Sequence, residues 1–254
     1  MQRYVLNDGV KVDVLQPGLE NAPVIIIEGA LQNIQELIDY ACTKSPQAIS
    51  KKEFPAHNAK LAEFAFHSGR ALYPGVCRPT PQAYREFIFR EVMPLVADIY
   101  KLSQHKLSSL SSDYSIVSSP PSELQLKQRI PHHDGSNHQE IAMIHFLCDE
   151  RLGGTSLYRH RKTGFEFISQ ARKDHYLSVL DEQLTHADEL DHQHYINGSS
   201  KLFERYFQCS AGMDKLFIYP CPLLHSGDIS KDYLVADSPR DARLTITNFL
   251  FSKS

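Results

Sequence analysis

The chain has 254 residues, of which 42% are hydrophobic, and its 27 basic and 30 acidic side chains give a formal charge of -3. This length suffices for a large core, so neither disulfides nor a structural metal is needed to stabilise the fold. The near-neutral charge predicts no nucleic-acid partner, and the densest apolar run, residues 24–27, is too short to span a membrane. The N-terminal sequence lacks the apolar stretch of a secretory signal. The five cysteines lack paired spacing, so we expect reduced thiols in a cytoplasmic protein.

The first hundred residues contain four periodic stretches, two with the alternation of strands and two with the spacing of helices. The strands are predicted at 4–14 and 24–27, and the helices at 31–41 and 81–99. Residues 45–80 are polar and punctuated by Pro and Gly, which predicts an ordered loop. Within it, Tyr73-Pro74-Gly75 fits either a rigid rim near an active site or a plain turn.

From residue 114 onward the pattern is typical of short strands. They are predicted at 114–117, 124–130, 141–148, 153–158, 216–219 and 244–251. Residues 165–208 interrupt this pattern with a polar, helical insertion. Helices followed by many short strands predict an α+β protein with a mainly β core, a sandwich or barrel over about 114–251. We expect the N-terminal helices to pack on this core within a single domain, 1–254.

The segment Ile130-Pro131-His132-His133-Asp134-Gly135 carries the strongest chemical signal. In a strand, residues i and i+2 project to the same face, so His132 and Asp134 point together and His133 points away. One imidazole and one carboxylate are two of the three ligands of the facial triad of non-haem iron, which leaves the other coordination positions open. The third ligand has to be a histidine from elsewhere, and His225, at the end of an apolar strand, is the candidate.

A second signal lies at the start of the last predicted strand. Alternation places Arg243, Thr245 and Thr247 on one face. If that face lines a barrel, a guanidinium is held inside it, which is costly without an anion. A dicarboxylate that meets Arg243 bidentately, beside the Thr245 hydroxyl, would supply the anion.

Together these residues resemble the iron(II)- and 2-oxoglutarate-dependent dioxygenases, specifically the prolyl-hydroxylase-like branch. The family's H-x-D matches His132 and Asp134, its distal histidine matches His225, and its R-x-[ST] matches Arg243 and Thr245. The resemblance implies a double-stranded β-helix, or jelly-roll. It also implies that the two histidines and the aspartate are catalytic residues that bind Fe(II), and that the arginine and threonine bind the 2-oxoglutarate co-substrate.

The sequence departs from the family pattern at two places. His145 stands where many relatives keep a tyrosine that touches 2-oxoglutarate, so the resemblance makes His145 a co-substrate contact. The gap between His225 and Arg243 is longer than in close relatives. Arg240 is therefore a rival for the co-substrate clamp, although Arg243 alone of the two lies in clean strand alternation.

The activity that the resemblance implies is hydroxylation by O2 and 2-oxoglutarate, with release of succinate and CO2. The presence of Asp134 favours hydroxylation or oxidative demethylation over halogenation. A small molecule, an amino acid or a peptide fits as substrate, and residues 45–80 and 165–208 are expected to cover the mouth of the site and determine it.

Two other classes of function and one other metal site stay open. A cupin-like metalloenzyme would use the same barrel without 2-oxoglutarate and would not need a buried Arg243. A non-catalytic jelly-roll binding module would keep its partner when Arg243 is lost. A separate metal cluster could be drawn in the polar insertion, but a solvated helical face is the better interpretation there. Its residues are His186, Asp188, His192 and His194.

Overall fold

A computed structural model of the protein describes residues 3–44, 59–69, 72–102, 107–185 and 193–252. Its strands are β1 (Lys11–Leu15), β2 (Val24–Glu28), β3 (His67–Ser68), β4 (Gly75–Pro79), β5 (Leu107–Val117), β6 (Ile141–Phe146), β7 (Gly154–His160), β8 (Phe203–Ser210), β9 (Lys215–Pro220), β10 (His225–Asp228) and β11 (Leu244–Ser252). Its α-helices are α1 (Ile34–Ala41), α2 (Gln82–Phe87), α3 (Met93–Ala97) and α4 (Gln170–Thr185). No helix among these residues has the length and apolar character that a membrane crossing requires. The protein is mainly β with added helices, as the sequence predicts.

The strands form two antiparallel sheets. The larger sheet has the order β1-β2-β9-β6-β11-β5-β4-β3, and the smaller one has the order β10-β7-β8. From β5 onward the chain passes repeatedly between them, since β6, β9 and β11 belong to the larger sheet and β7, β8 and β10 to the smaller one. Between β5 and β6, His132 pairs with His225 at the start of β10, which extends the smaller sheet by one bridge.

The two-residue period of the strands divides the core into layers. In β6, Ile141 and Met143 pack with helices α1 to α3 on the outer face of the larger sheet. The alternate residues Ala142 and Phe146 pack with residues of the smaller sheet. A third cluster, which includes Tyr176 of α4, covers the outer face of the smaller sheet. The inward-facing residues of the two sheets therefore meet in the region between the sheets.

The predicted helix over 81–99 forms, but it is interrupted. A π-helical turn, Ile88–Val92, separates α2 from α3, and Pro94 occupies the first turn of α3. Proline has no N–H for the bond to the residue four positions earlier, and its ring clashes with that carbonyl. A wider turn before Pro94 relieves both problems.

The predicted strand over 124–130 is wrong. The segment contains a 3-10 turn, Leu126–Gln128, in which the side chains of Gln125 and Gln128 cap each other's backbone. Leu124 is buried, but Leu126 is 38% exposed, so the apolar alternation does not correspond to one buried face.

The expectation of a loop over 45–80 is also corrected, since β3 and β4 lie in this segment and β4 pairs with β5. Residues 45–58 are outside the described residues. The helical insertion at 165–208 contains α4, but its last residues belong to β8, which begins at Phe203.

Candidate active site

The structure brings His132, Asp134 and His225 together at one end of the smaller sheet. One ligand atom from each of the three residues lies within 4.8 Å of those of the other two. The His225 Nε2 atom is 3.2 Å from one carboxylate oxygen of Asp134, and the His132 Nε2 atom is 3.6 Å from the other. Solvent reaches 57% of the His132 side chain but only 7% of that of His225, so the site opens on the His132 side.

Backbone hydrogen bonds fix the three side chains relative to one another. The His132 N–H donates to the His225 carbonyl oxygen at 2.9 Å, and the His225 N–H donates to the His132 carbonyl oxygen at 2.8 Å. The Asp134 N–H donates to the Cys221 carbonyl oxygen at 2.9 Å. His132 and Asp134 are therefore both anchored to the segment from Cys221 to His225, which leads into β10.

The protonation pattern is that of a site prepared for a cation. Burial alone raises the pKa of Asp134, but the nearby histidines, His225 foremost, outweigh it and hold the pKa below its usual value. Burial alone lowers the pKa of His225, but the Asp134 carboxylate outweighs it and raises the pKa.

The tautomer of His225 also suits metal binding. Its Nδ1 atom lies 2.9 Å from the Leu223 carbonyl oxygen, an acceptor, so Nδ1 carries a proton and Nε2 faces Asp134. A backbone partner of this kind fixes the ring of a metal-binding histidine. His133 is not part of the group, since its Nδ1 atom contacts the Gly135 carbonyl oxygen at 2.8 Å and its ring lies 6.2 Å from that of Tyr176.

Arg243 is buried, with 5% of its surface exposed. One of its terminal nitrogens donates to the Gly154 carbonyl oxygen, and the guanidinium lies 5.8 Å from the centre of the Phe146 ring. Its Nε atom is buried without a hydrogen-bond partner, and no carboxylate of a described residue lies within ion-pair distance. Among the described residues the guanidinium therefore forms no ion pair; the buried Asp228 carboxylate pairs with Arg205, and Arg243 only acts against the rise in the pKa of Asp228 that burial causes.

Arg240 and Thr245, the other candidates near the start of β11, both have partners within the protein. Arg240 is half-exposed and pairs with Asp39 of α1, on the outside of the protein. Thr245 is buried on the inward face of β11, but its hydroxyl donates to the Ser115 carbonyl oxygen at 3.2 Å. Arg243 is therefore the cation placed to receive an anion, and Thr245 ties β11 to β5.

The prediction for His145 is wrong. Its ring is fully buried on the outer face of the larger sheet, where Nε2 lies 2.9 Å from an Asp214 carboxylate oxygen and Nδ1 lies 3.0 Å from the Tyr84 hydroxyl. Both ring nitrogens are already paired, and the sheet separates them from the space between the sheets. His145 links helix α2 to the turn before β9 and does not contact the site.

Gly227 connects the ligand group with Arg243. It lies two residues after His225 in β10, so both residues project to the same face, about 6.5 Å apart along the strand. A Cβ atom on Gly227 would lie 3.6 Å from a terminal nitrogen of Arg243. The Arg243 guanidinium therefore packs over Gly227. Gly227 is two residues after His225 in β10 and lies on the same inward face.

Residues that the sequence left as secondary candidates lie elsewhere or cannot be assigned. His186, Asp188 and His192 are outside the described residues. His194 contacts the Tyr195 carbonyl oxygen at 2.7 Å. The Cys221 thiol is buried, and burial raises its pKa, which excludes a reactive thiolate.

The sequence places the chain in a family. Residues 57–250 match the family model DUF6445, described as a family of unknown function, and the chain belongs to this family. No curated protein matches the chain in sequence. Since the function of the family is unknown, the activity has to be inferred from the site.

Several solved structures are similar to this one at low sequence identity. The carbocyclase SnoK from nogalamycin biosynthesis, a non-haem, alpha-ketoglutarate-dependent enzyme, has a TM-score of 0.43 and 11% identity, over 86% of this chain and 83% of that one. The epimerase SnoN of the same biosynthesis has a TM-score of 0.40 and 11% identity, over 86% and 82%. The N-substituted L-amino acid dioxygenase from Burkholderia ambifaria AMMD has a TM-score of 0.41 and 10% identity, over 98% and 94%.

Proposed function

We propose that this protein is an iron(II)- and 2-oxoglutarate-dependent dioxygenase that hydroxylates a small molecule, an amino acid or a peptide. One observation carries the proposal: a His–Asp–His group and a buried arginine that forms no ion pair with any described residue face the same region between the two sheets. A metal site alone would fit many enzymes. The pairing with an internal cation favours a metal enzyme whose co-substrate is an anion.

The donor set suits Fe(II). Two imidazole nitrogens and one carboxylate, with open positions on the remaining sides, are the ligands of non-haem iron oxygenases. His132, Asp134 and His225 would hold the metal, and the exposed side of His132 would leave room for a substrate.

The spacing suits a dicarboxylate. Gly227, which the Arg243 guanidinium covers, is the next inward-facing residue after His225 in β10. A dicarboxylate bound to a metal at the histidines would extend along β10 towards the guanidinium. Arg243 would bind its far carboxylate through two parallel hydrogen bonds, and the unpartnered Nε atom would be one of the donors.

The chain itself would position and separate the reactants. Bound Fe(II), with 2-oxoglutarate and O2, supplies oxidative decarboxylation to succinate and CO2 coupled to hydroxylation. Arg243 orients the co-substrate, the His225–Leu223 contact orients the ligand ring, and the apolar cluster between the sheets excludes water from the inner side of the site.

The proposal extends to the architecture. We assign the two sheets to a double-stranded β-helix, or jelly-roll, within a single domain, and the H-x-D, His and R-x-T order supports a place in the prolyl-hydroxylase-like branch. The alternation of the chain between the sheets from β5 to β11 supports this assignment. A cytoplasmic location remains a prediction from the cysteine pattern.

Anaerobic calorimetry tests the proposal in two steps. Fe(II) is titrated into the metal-free protein, and 2-oxoglutarate is then titrated into the iron-loaded protein. We expect one equivalent of each to bind to the wild type. Asp134→Ala should lose iron, whereas Arg243→Met should keep iron and lose 2-oxoglutarate.

The matched control is Arg240→Met, which removes a surface arginine three residues from Arg243 and should leave both steps unchanged. If iron binds to the wild type and 2-oxoglutarate does not, the cupin-like alternative replaces the proposal. If iron does not bind either, the protein is a non-catalytic binding module.

A further inference from the structure

The larger sheet ends in an uncovered edge at β1. On one side β1 pairs with β2, and on its other side it pairs with no described strand. The backbone N–H and C=O groups on that side are therefore open to a further strand. A Cβ atom on Gly9, just before β1, would meet nothing within 4 Å, so no described residue crowds this end of the edge.

Strand β1 differs from other edge strands of the protein because it exposes large apolar side chains. Val12, Val14 and Leu15 are each at least 38% exposed. The opposite edge of the larger sheet, β3, has only two residues, and the edge strand β8 of the smaller sheet exposes no large apolar side chain. Short or charged edges resist pairing with other chains, whereas an apolar edge favours the addition of a strand.

The two valines of β1 lie on the outer face of the larger sheet. Val12 is opposite Ile27 of β2, and Val14 is opposite Ile25. Both isoleucines belong to the core cluster between this face and the helices. Because residues directly opposite each other in an antiparallel pair project to the same face, the valines continue this apolar face to the edge of the sheet, where they are exposed.

The other face of β1 carries two opposite charges, Lys11 and Asp13. Both side chains are accessible to solvent, and the Lys11 Nζ atom is 2.8 Å from an Asp13 carboxylate oxygen. This order of charges is complementary to itself when β1 runs antiparallel to the β1 strand of a second copy. A two-fold axis at Val12, perpendicular to the sheet, places each lysine opposite the aspartate of the other copy. An axis at Lys11 or at Asp13 would instead place two like charges opposite each other, which is unfavourable.

The same axis also matches the apolar face. It places Val12 opposite Val12 of the second copy, and Val14 opposite Val10. Val10 already packs against the core cluster on the outer face. Cross-strand pairs of valines suit a pleated, half-buried surface and would cover the side chains that β1 exposes.

We propose that β1 is a dimerisation edge, through which two copies of this chain pair antiparallel about a two-fold axis at Val12. The larger sheets of the two copies then become continuous. Such a pairing is isologous, since the same residues contribute from both copies. The strand is short, so the interface is small and the dimer should dissociate on dilution. The dimer does not depend on the proposed function, because it uses none of the residues of the candidate site.

Sedimentation velocity over a dilution series of the full chain tests the proposal. We expect the wild type to change from dimer to monomer as it is diluted. Lys11→Asp places acidic residues opposite each other at both charge pairs, and Asp13→Lys does the same with basic residues. Each of these variants should be a monomer throughout the series. The control is Lys162→Asp, which changes an exposed lysine that pairs with Glu182 in another part of the protein, and it should dimerise like the wild type.

The two charge variants also test the position of the axis. In an equal mixture, one chain has two acidic residues on this face and the other has two basic ones, so the mixture should form a heterodimer. The double variant Lys11→Asp/Asp13→Lys exchanges the two charges within one chain and should form a homodimer like that of the wild type. Recovery of the dimer in the mixture would also show that both single variants fold.

Three results would overturn the proposal. The wild type could remain a monomer at the highest concentration, in which case β1 does not pair with a second copy. The dimer could persist in either single variant, in which case another surface forms it. The single variants could be monomers while their mixture and the double variant are monomers as well, in which case the copies do not pair about Val12.

Discussion

Arg243 is a site at which binding and stability should oppose each other. Its guanidinium is buried and forms no ion pair with any described residue, and desolvation of such a charge costs several kcal/mol. The hydrogen bond to Gly154 offsets about 1.5–3 kcal/mol of this, and the contact with the Phe146 ring offsets about 1 kcal/mol. The remainder destabilises the ligand-free protein.

Arg243→Met should therefore raise the free energy of unfolding of the ligand-free protein by about 1–3 kcal/mol, in the range found when buried charges are replaced by apolar residues. Equilibrium urea unfolding, followed by circular dichroism, measures this change. In a protein of this size the melting temperature should rise by about 2–4 °C for each kcal/mol.

The matched control is Arg159→Met. The Arg159 side chain is 17% exposed and is paired with Glu166 and Glu204. Its removal leaves the Glu166 carboxylate buried and should cost about 3–5 kcal/mol. If Arg243→Met destabilises the ligand-free protein as much as Arg159→Met does, Arg243 is a structural ion and our interpretation is refuted.

Adding 2-oxoglutarate should make the iron-loaded wild type more stable than Arg243→Met, the reverse of the order expected without it. At a 2-oxoglutarate concentration of about 100 times Kd, the iron-loaded wild type should gain about 2.7 kcal/mol under anaerobic conditions, and the Arg243→Met variant should gain nothing. Equal stabilisation of both proteins would show that the ligand binds elsewhere.

Further predictions concern the space around the site, the backbone, the metal and the thiols. Gly227→Val fills the space under the guanidinium, so it should abolish 2-oxoglutarate binding in calorimetry and leave iron binding intact. Gly153→Ala should destabilise the protein by more than about 3 kcal/mol in urea unfolding, because Gly153 has φ +108° and a Cβ atom there would lie 1.9 Å from a backbone oxygen. The control is Gly9→Ala, where a Cβ atom would meet nothing within 4 Å, and its stability should change little. Because a metal that binds to His225 has to displace a proton, iron affinity should fall as pH is lowered; a pH-independent affinity would contradict this. Ellman's reagent should react quickly with no more than two of the five thiols of the native protein, since three are buried and have raised pKa values; these are Cys148, Cys209 and Cys221.

The inward orientation of Arg243 and Thr245 could be predicted because polar and apolar residues alternate in the last strand. Leu244 and Ile246 pack against the helices, so Arg243 and Thr245 face inward as expected. His132 and Asp134 lie two residues apart, and they meet His225 because their segment forms a bridge with the start of β10.

The parts that could not be predicted lie in strands that are apolar on both faces. Residues 141–148 and 216–219 carry no alternation, because the larger sheet is covered on both sides. The sequence therefore could not place His145 on the outer face or Tyr219 on the inner one. Tyr73-Pro74-Gly75 leads into β4, whose pairing with β5 depends on contacts distant in sequence. The sequence alone therefore could not decide whether this segment is a rim of the site or a plain turn.

We propose that Fe(II) and 2-oxoglutarate bind together between the two sheets. Anaerobic titration of the iron-loaded protein with 2-oxoglutarate tests it directly, because chelation of iron by the keto acid produces a weak visible charge-transfer band. We expect the band to appear in the wild type with one equivalent, to weaken in Arg243→Met and to be absent in His225→Ala. If the wild type binds iron and saturating 2-oxoglutarate produces no band, the protein does not bring the two together and the proposed function is wrong.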